Sequence, residues 1–592
     1  MNKQLSAPFA YCYEYLRATP GKALIGIVTT IFLFALIGSP PPAHAATIIV
    51  DGDCTLVLAI ENANDTTDGQ PNSECASGDP SGADTIVLTA SNYSYTTASG
   101  TNAALPNISS EIIIEGSGAT LERAGGPDMR LLTVAGTGNL TLNNVTLTGG
   151  VVSGSLPANQ GGGLYVLSGG IAMLNNSTIS GNTTTSGNGG GLRNSGTLTL
   201  NNSTVSGNEG FLSGGGIAND GAVTLNNSTI SSNTTSGSGG GIRNFGSGTV
   251  MLNNSTITDN TATNQGGGIS SNGSVTTLSR TIIVGNTANS DGHEVHAQFA
   301  SIVINANNYN VIGYGGSNRS LNFTPSGSDV VPVGALDTVL DTTLADNGGP
   351  TLTHLLVTGS PAIDIAPTAD CNNAPINGTD QRGVLRSQDG NASGAAACDA
   401  GAIELGQLQC GLQTAVLPTL LTYADASGVL VNVVDEGTDL DCVRVTEIGH
   451  SHPHATSSVS NMALETGRYW QILGLQNNTS PALAADDFDV DLTLPFASAD
   501  ANSRVCKWLE GAGPGFGWAC GPSDGTGTSY IADTSVTRTG LSSFSDWAVG
   551  DEVGPTAVTL VAISIISYQS LLVAALLLLL LAGSGFMLAR QR

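Results

Sequence analysis

Two sequence markers repeat in a fixed order through the middle of this chain, and they limit what it can fold into. The first marker, LNNST, begins at Leu174, Leu200, Leu225 and Leu252, with the variants LNNVT at Leu142 and LSRTI at Leu278. The second marker, three glycines followed by Leu or Ile, begins at Gly161, Gly189, Gly214, Gly239 and Gly266. Because both markers recur every 25 to 28 residues through the regular part, one structural unit is repeated.

Apolar and polar residues alternate within each repeat. The stretch 221–230, GAVTLNNSTI, shows the period of two that is typical of a β-strand, and no helical periodicity is found between residues 130 and 290. Repeats of this length, with short strands and with glycine and asparagine at the corners, predict a parallel β-helix in which each coil bonds to its neighbours. A calcium-binding nonapeptide roll would need an Asp in each turn, and a leucine-rich repeat would need a helical half.

The corners of the predicted coils carry glycine and asparagine. Glycine supplies positive φ at bends, and asparagine tolerates the left-handed region. We expect roughly nine coils between residues 85 and 310. We also expect the side-chain amides of successive coils to stack as ladders, formed by the asparagine pairs at 175/176, 201/202, 226/227 and 253/254.

Composition bounds the function of the 592-residue chain. Hydrophobic residues make up 40%, which excludes a disordered chain, and the length indicates several domains. Acidic residues outnumber basic ones by 46 to 18, giving a formal charge of −28. That charge argues against nucleic acid or an anionic lipid surface as a partner.

The two ends of the chain carry targeting signals. Basic residues, an apolar stretch from Ala23 to Gly38 and the sequence Ala43-His44-Ala45 predict a signal peptide over residues 1–45, and a retained N-terminal anchor is the alternative. The uncharged stretch Leu571 to Leu588 is followed by two arginines and predicts a transmembrane anchor over 556–592 with a cytoplasmic tail. We therefore expect an exported, cell-surface protein, released if its C-terminal tail is processed.

Eight cysteines remain once Cys12 is removed with the signal peptide. An even number in an exported chain predicts disulfides, and none of them forms a C-x-x-C zinc motif. Among the 105 possible connectivities, the simplest joins neighbours in the sequence, Cys54 with Cys75, Cys371 with Cys398, Cys410 with Cys442, and Cys506 with Cys520.

Several segments resemble known bacterial surface proteins. The stretch Val50 to Asn64, VDGDCTLVLAIENAN, resembles the CSLREAI domain that precedes right-handed β-helices, although Val57 and Leu58 stand where that family has Arg and Glu. The repeats resemble pectin-lyase-like right-handed β-helices. Five further motifs resemble the choice-of-anchor Q domain: NYNVIG at Asn308, LADNGGPTLTHLL at Leu344, GSPAIDIA at Gly359, DQRG at Asp380 and CDAGAIEL at Cys398. The resemblance implies a surface protein of largely unknown activity.

The composition changes after residue 408. All four tryptophans lie between residues 409 and 552, among short alternating runs that predict a small β-sandwich, and we expect them to anchor its core. The predicted fold is all-β, a right-handed parallel β-helix followed by a β-sandwich, with terminal signal and transmembrane helices. Between the two terminal segments its regions are a capping region at 46–110, repeats at 111–310, a choice-of-anchor Q-like extension at 311–408 and the sandwich at 409–552.

Catalysis on such a rod would need converging acids, or a base beside a metal. The regular coils offer Glu209, Asp220 and Asp259, and no two of these occupy the same repeat position. Arg193 and Arg243 do share a position, directly after the glycine marker, and we interpret them as exposed residues of the shaft. The sequence therefore predicts no catalytic residue.

Three clusters could hold a metal. His293, Glu294 and His296 follow one another in the run DGHEVH, which we interpret as a solvated loop at the end of the repeats. His450, His452 and His454 alternate, so on a strand they would share a face, although Pro453 interrupts the run. Calcium could be gathered by four aspartates, interpreted first as a solvated strand edge: Asp486, Asp487, Asp489 and Asp491.

We interpret the chain as a noncatalytic, exported rod for surface display, adhesion or glycan contact. It requires no cofactor, its partners would be a surface glycan or a neighbouring cell surface, and its C-terminal helix would hold it in the membrane. The alternative is a polysaccharide lyase or glycoside hydrolase acting on an acidic polysaccharide, for which acids clustered on one coil face would be the mark.

Overall fold

The structure is a computed structural model, and its central feature is a parallel β-solenoid. It describes residues 46–552 with gaps at 66–71, 80–81, 101, 156–158, 307, 326, 424–425, 438–439, 450–461, 465–467, 478–479, 482–487, 510–516, 521–526 and 544. All strand pairings in the solenoid ladders are parallel, and a region of antiparallel sheet follows the solenoid. The predicted parallel β-helix is therefore confirmed.

Each regular coil contributes one strand to each of four ladders, here named A to D. Ladder A contains Thr47–Val50, Asp84–Leu88, the first halves of Glu111–Arg123 and Asn139–Thr148, Ile171–Asn175, Thr197–Asn201, Ala222–Asn226, Thr249–Asn253, Val275–Ser279 and Val303–Asn305. Ladder B contains Asn92–Tyr95, the second halves of the same two long strands, Thr178–Ser180, Thr204–Ser206, Thr229–Ser231, Thr256–Thr258, Ile282–Val284 and Val311–Ile312.

Ladders C and D complete each coil. Ladder C contains Val151–Val152, Thr183–Thr184, Glu209–Gly210, Thr234–Thr235, Thr261–Ala262 and Thr287–Ala288. Ladder D contains Leu132–Val134, Leu164–Val166, Leu192–Asn194, Ile217–Asn219, Ile242–Asn244, Ile269–Ser271 and Val295–Ala297.

Inward aliphatic side chains hold the coils together. In ladder D the residue after each glycine triplet is buried, and Ile217 and Ile242 are both 0% exposed and paired in register. In ladder A, Leu200 pairs with Leu225, and both lie in one hydrophobic cluster that runs the length of the solenoid. The strand register expected from the alternating pattern is therefore confirmed.

The asparagine pairs stack only in part. The first residue of each pair forms an amide ladder, in which Asn201 Nδ2 donates to Asn175 Oδ1 at 2.8 Å and Asn226 Nδ2 donates to Asn201 Oδ1 at 2.8 Å. The second residue does not join this ladder, because it turns the corner from ladder A to ladder B with φ between 44° and 54°: Asn144, Asn176, Asn202, Asn227 and Asn254. The expectation that both residues of each pair would stack is therefore wrong for the second one.

The glycine triplets serve close packing as well as bending. The first glycine, such as Gly189 with φ of 73°, adopts the left-handed conformation. A Cβ on the second, Gly190, would lie 2.5 Å from the carbonyl oxygen of Gly215 in the next coil. The coil can approach its neighbour only because that side chain is missing.

A helix covers the N-terminal end of the solenoid. It spans Leu56–Ala63, and the Thr55 hydroxyl accepts a bond from the Leu58 N–H at its start. Leu56 and Ile60 are buried against the first coils. This cap keeps the open hydrophobic end away from water.

Residues 340–405, here called the return segment, lie along the side of the solenoid instead of adding coils. Their regular structure is the short helix Thr368–Asn372, preceded by a 3-10 turn at Leu336–Thr338. Thr204 Oγ1 in ladder B donates to the carbonyl oxygen of Leu352 at 2.7 Å, and the N–H of Ala402 donates to Thr256 Oγ1 at 3.0 Å. The segment is thus bonded across several coils.

Two antiparallel sheets follow, beginning near residue 407. The first contains Gln407–Cys410, Cys442–Ile448, Met462–Leu464, Tyr469–Asn477, Ser480–Pro481, Ser503–Leu509, Gly517–Cys520 and Asp546–Glu552. The second contains Thr419–Tyr423, Val429–Asp435, Asp489–Pro495, Thr528–Ile531 and Ser535–Leu541, and a further 3-10 turn spans Leu412–Thr414. Both sheets contribute to one buried cluster, in which Trp470 and Trp547 are 0% exposed, so the prediction of core anchors is confirmed for these two. Trp518 and the partly buried Trp508 lie instead in a separate small cluster.

All four predicted disulfides are present: Cys54–Cys75, Cys371–Cys398, Cys410–Cys442 and Cys506–Cys520. In the described part of the chain, no helix has the length and apolar character needed to cross a bilayer. The predicted signal peptide and the predicted anchor at 556–592 lie outside the described residues.

Candidate functional site

The outer face of ladder D carries a row of cationic and aromatic side chains. The middle residue of each strand points away from the coil interior, and these residues pair in the register Tyr165, Arg193, Ala218, Arg243. Phe245 follows two residues after Arg243. We name the set formed by Arg130, Tyr165, Arg193, Arg243 and Phe245 the arginine face.

Stacking on aromatic rings orders these guanidinium groups. The Cζ atoms of Arg193 and Arg243 lie 5.5 Å and 5.1 Å from the centroid of the Phe245 ring. Arg130 lies 5.4 Å from the ring of Tyr165 in the same way. Such cation–π contacts fix the position of a charge without neutralising it.

The two arginines predicted from the repeat differ in charge balance. Arg193 Nη2 donates to Asp220 Oδ2 at 2.8 Å, so its charge is paired. Arg243 Nη1 instead donates to the hydroxyl of Ser270 at 2.6 Å and has no ion pair within the described residues. Burial lowers the pKa of Arg243 because the charged form is poorly solvated there. This guanidinium is therefore a charge without a counter-charge.

The interpretation of Arg193 and Arg243 as exposed shaft residues is wrong. Both point outward, as expected, but both are only partly exposed, because Phe245 and the neighbouring coils cover them. Sequence reasoning missed the aromatic residues of this face. The available signal was Tyr165, which follows the glycine marker in the position that Arg193 and Arg243 occupy.

The carboxylates of the regular coils do not converge. Glu209 is exposed in ladder C, Asp220 follows ladder D, and Asp259 is exposed just after ladder B, where it accepts a bond from the Ser232 hydroxyl. They belong to three different sides of the coil, as their different repeat positions indicated.

The interpretation of the run DGHEVH as a solvated loop is wrong for Glu294 and His296, which are buried, whereas Asp291 is exposed and His293 is partly exposed. Glu294 is 0% exposed and accepts bonds from Asn286 Nδ2 at 2.7 Å and from the N–H of Gly285 at 3.0 Å. Its pKa is raised to about 7, because burial disfavours the carboxylate more than these bonds favour it. His296 lies outside the coil on ladder D, and His293 accepts from a backbone N–H, so the three side chains do not form a compact ligand set.

The remaining metal candidates have different outcomes. His450, His452 and His454 lie outside the described residues, as do Asp486 and Asp487. Asp489 and Asp491 lie in Asp489–Pro495, a central strand between Val429–Asp435 and Ser535–Leu541, so the expectation of a strand edge is wrong for both.

Sequence reasoning missed a compact group of three carboxylates. The side-chain oxygens of Asp364, Asp399 and Glu404 lie within 4.8 Å of one another, the one such group found among the described residues. Glu404 also bonds to Arg386 at 3.3 Å, and both side chains are 0% exposed. Backbone N–H groups donate to all three carboxylates. Asp364 lies in the motif GSPAIDIA, and Asp399 and Glu404 lie in CDAGAIEL, so the available signal was these two motifs; no periodic pattern indicates that the three side chains meet.

A cavity of about 780 Å³ lies beside the corner between ladders A and B. Its walls are formed by asparagine and threonine side chains of the solenoid on one side, and by Pro350, Gln381, Arg382, Gly383 and Gly449 on the other. The residues that line it include no carboxylate.

Comparison with known proteins agrees with the solenoid. Residues 130–288 match the family described as "Right handed beta helix region", which covers part of the chain and establishes a right-handed coil. None of the curated proteins matches the chain. The solved structures include the crystal structure of pectate lyase Pel9A, which aligns with this chain at 18% identity and a TM-score of 0.30. The alignment covers 54% of this chain and 88% of the Pel9A chain. A similarity this low carries no information about the activity of this chain.

Proposed function

We propose that this protein is an exported, noncatalytic β-helix rod that contacts a saccharide bearing carboxylate or sulfate groups through the arginine face. The proposal rests on the environment of Arg243. Its guanidinium is partly buried, is stacked on Phe245 and forms no ion pair within the described residues. An acidic group bound at its exposed part supplies the missing counter-charge, and the adjacent ring offers an apolar surface to a sugar.

The overall charge of −28 does not prevent this contact. Charges farther away than a Debye length, about 8 Å at physiological ionic strength, are largely screened. Near the ligand the relevant charges are those of Arg193, which Asp220 balances, and of Arg243, which has no ion pair within the described residues. The local balance therefore favours an anion.

The absence of converging acids on this face supports binding without cleavage. Hydrolysis of a glycosidic bond needs two carboxyl groups at a defined separation. Asp220 is held by Arg193, while Glu209 and Asp259 belong to other sides of the coil. The hydrolase alternative therefore has no matching arrangement among the described residues of the coils.

Export and surface anchoring complete the proposal. The four disulfides support an oxidising compartment, and the sequences of residues 1–45 and 556–592 support a signal peptide and an anchor. We group the protein with the surface proteins that its CSLREAI-like and choice-of-anchor Q-like motifs resemble.

A glycan array tests the proposal with three forms of the protein. The wild type should bind acidic saccharides in preference to neutral ones, and Arg243→Gln should weaken this binding by about tenfold or more. Arg123→Gln is the matched control, because it removes the same charge from another partly exposed arginine, which is paired with Asp128 and lies outside the arginine face. A wild type that ignores acidic saccharides, or equal losses in the two variants, would show that the arginine face is not the binding site.

A further inference from the structure

The cavity described above lies along the corner between ladders A and B. In later coils the return segment covers this corner, but at the cavity the corner is uncovered. We name it the corner groove, formed on the solenoid side by Ser117, Asn144, Thr146, Asn176, Thr178 and Asn202. These residues are the corner position of each coil and the first residue of the following ladder B strand. The same two positions in later coils are occupied by Asn227 with Thr229, and by Asn254 with Thr256.

The later coils show what this surface binds. Asn227 Nδ2 donates to the carbonyl oxygen of Thr379 at 2.9 Å, and Asn227 Oδ1 accepts from Arg386 Nη2 at 3.0 Å. Asn254 Nδ2 reaches the carbonyl oxygen of Asp399 at 3.5 Å. Each corner amide therefore contacts the irregular, extended backbone of the return segment.

The threonine column beside the corner binds the same segment. Gln381 bridges two coils, because its Oε1 accepts from Thr229 Oγ1 at 2.7 Å and its Nε2 donates to Thr204 Oγ1 at 2.9 Å. The spacing of adjacent coils, about 4.8 Å, lets one side-chain amide reach both hydroxyls. Corner amides and threonine hydroxyls thus form one repeated recognition surface.

In the corner groove, the equivalent asparagine and threonine side chains are not hydrogen-bonded to any described residue. The side chains of Asn144, Thr146, Asn176 and Thr178 form no hydrogen bond within the described part of the chain, and all four are partly exposed. The corner residues Asn144 and Asn176 have φ of 54° and 50°, close to the 45° of Asn227, so their backbones are set in the same conformation. The groove is a preformed copy of the occupied surface.

We propose that the corner groove binds an extended polypeptide segment of a partner protein, through the same contacts that hold the return segment. The corner amides of Asn144 and Asn176 donate to its carbonyl oxygens, and a glutamine side chain bridges Thr146 and Thr178. The solenoid wall of the groove offers side-chain amides and hydroxyls and no charged group, so a polar segment that contains a glutamine fits it. Because Pro350 and Gln381 line the side of the groove opposite the solenoid, the bound segment lies between the solenoid and the return segment.

The test uses a peptide whose contacts are already known. A fluorescent, end-capped peptide with the sequence of residues 376–387 is titrated with the purified protein, and its anisotropy is followed. We expect saturable binding that Asn144→Gly combined with Asn176→Gly weakens by about tenfold, because two amide contacts are lost. Glycine keeps the positive φ, so the corners remain folded. Asn102→Gly, at a positive-φ asparagine outside the groove, is the matched control.

A second measurement separates this site from the arginine face and from sugar binding. The peptide with alanine at the position of Gln381 should bind more weakly, while Arg243→Gln should leave peptide binding unchanged. Absence of saturable peptide binding, or equal affinity for wild type and the double glycine variant, would overturn the proposal. So would a neutral oligosaccharide whose binding, unlike that of the peptide, is lost in the double glycine variant.

Discussion

At the scale of single residues, buried amides behave as a continuous chain of hydrogen bonds with a carboxylate at its end. Five buried asparagines lie at the same position in successive coils: Asn182, Asn208, Asn233, Asn260 and Asn286. Each of the first four donates from Nδ2 to Oδ1 of the next, and Asn286 Nδ2 donates to the Glu294 carboxylate. Glu294 also forms an ion pair with Arg319 at 3.3 Å. A buried acid at this point terminates the ladder by accepting what the amides donate.

The raised pKa of Glu294 gives the ladder a pH dependence. The unfolded chain releases this proton near pH 4.5 and the folded chain near pH 7, so the folded state binds more protons in between. The stability that the protonated Glu294 contributes is fully present below about pH 4.5 and is lost as the pH rises to about 7. Urea unfolding at several pH values should show a smaller slope in Glu294→Gln than in the wild type, because Asp364 and Asp399, whose pKa values are also raised by burial, remain in both proteins. The same slope in both proteins would assign it to another group.

Outward and inward positions of ladder D should differ sharply in their tolerance of substitution. Ile217→Asp places an unpaired charge where the side chain is 0% exposed, and we expect a loss of stability of about 4 kcal/mol or more. Ile217→Val, which keeps the site apolar, should cost about 1 kcal/mol. Arg193→Ala should cost less than Ile217→Asp because Arg193 lies on the outer surface. Denaturant unfolding measures all three, and equal losses for Ile217→Asp and Arg193→Ala would contradict the register.

At the scale of structural elements, the sequence pattern predicted the repeated strands of the solenoid and did not predict the course of the return segment. The strands of ladders A and D follow from alternation around Leu200, Leu225, Ile217 and Ile242, because each coil faces the same local constraint. The return segment could not be predicted in this way, since its contacts, such as the one between Thr229 and Gln381, join residues 152 positions apart and follow no periodic pattern in the segment itself. Of the arginine face, the sequence indicated Arg193 and Arg243, because they share a repeat position, but it did not indicate Phe245, which has no counterpart in the repeat.

The disulfides connect elements that are already neighbours. Cys410 lies opposite Cys442 in paired antiparallel strands, and Cys506 lies opposite Cys520 in another pair. Because all eight cysteines of residues 46–552 are paired, thiol-reagent labelling of the denatured, unreduced protein, made without residues 1–45 and thus without Cys12, should be negligible. Reduction before labelling is the positive control. Substantial labelling without reduction would contradict the pairing.

At the scale of the whole molecule, the return segment bonds to both the solenoid and the antiparallel sheets. Gln381 reaches Thr229 in the solenoid, while Arg444 in the strand Cys442–Ile448 donates to Thr358 Oγ1 at 3.1 Å and to the carbonyl oxygen of Gly390 at 3.3 Å. The buried carboxylates Asp399 and Glu404 lie within the same segment. The segment therefore joins the two folded parts through buried polar contacts.

Loss of one such contact should loosen the segment and spare the coils. Gln381→Ala removes a buried side chain that bonds to Thr204, Thr229 and Thr351, and we expect a loss of about 1–3 kcal/mol. Hydrogen exchange should accelerate in residues 345–405 and remain slow in ladders A and D. Gln413→Ala, in an exposed turn, is the control. Uniform acceleration over the solenoid would show that the two parts unfold as one unit.

The most direct test of the account is to measure binding and cleavage together on one acidic saccharide. An oligogalacturonide is titrated into the purified protein in a calorimeter with Ca²⁺ present, and the same solution is then assayed for unsaturated products and new reducing ends. We predict saturable heat of binding that Arg243→Gln weakens by about tenfold, with no product formed. Sustained heat of turnover with release of product, abolished by changing Asp220, Asp259 or Arg243, would contradict the noncatalytic function and establish the lyase or hydrolase alternative.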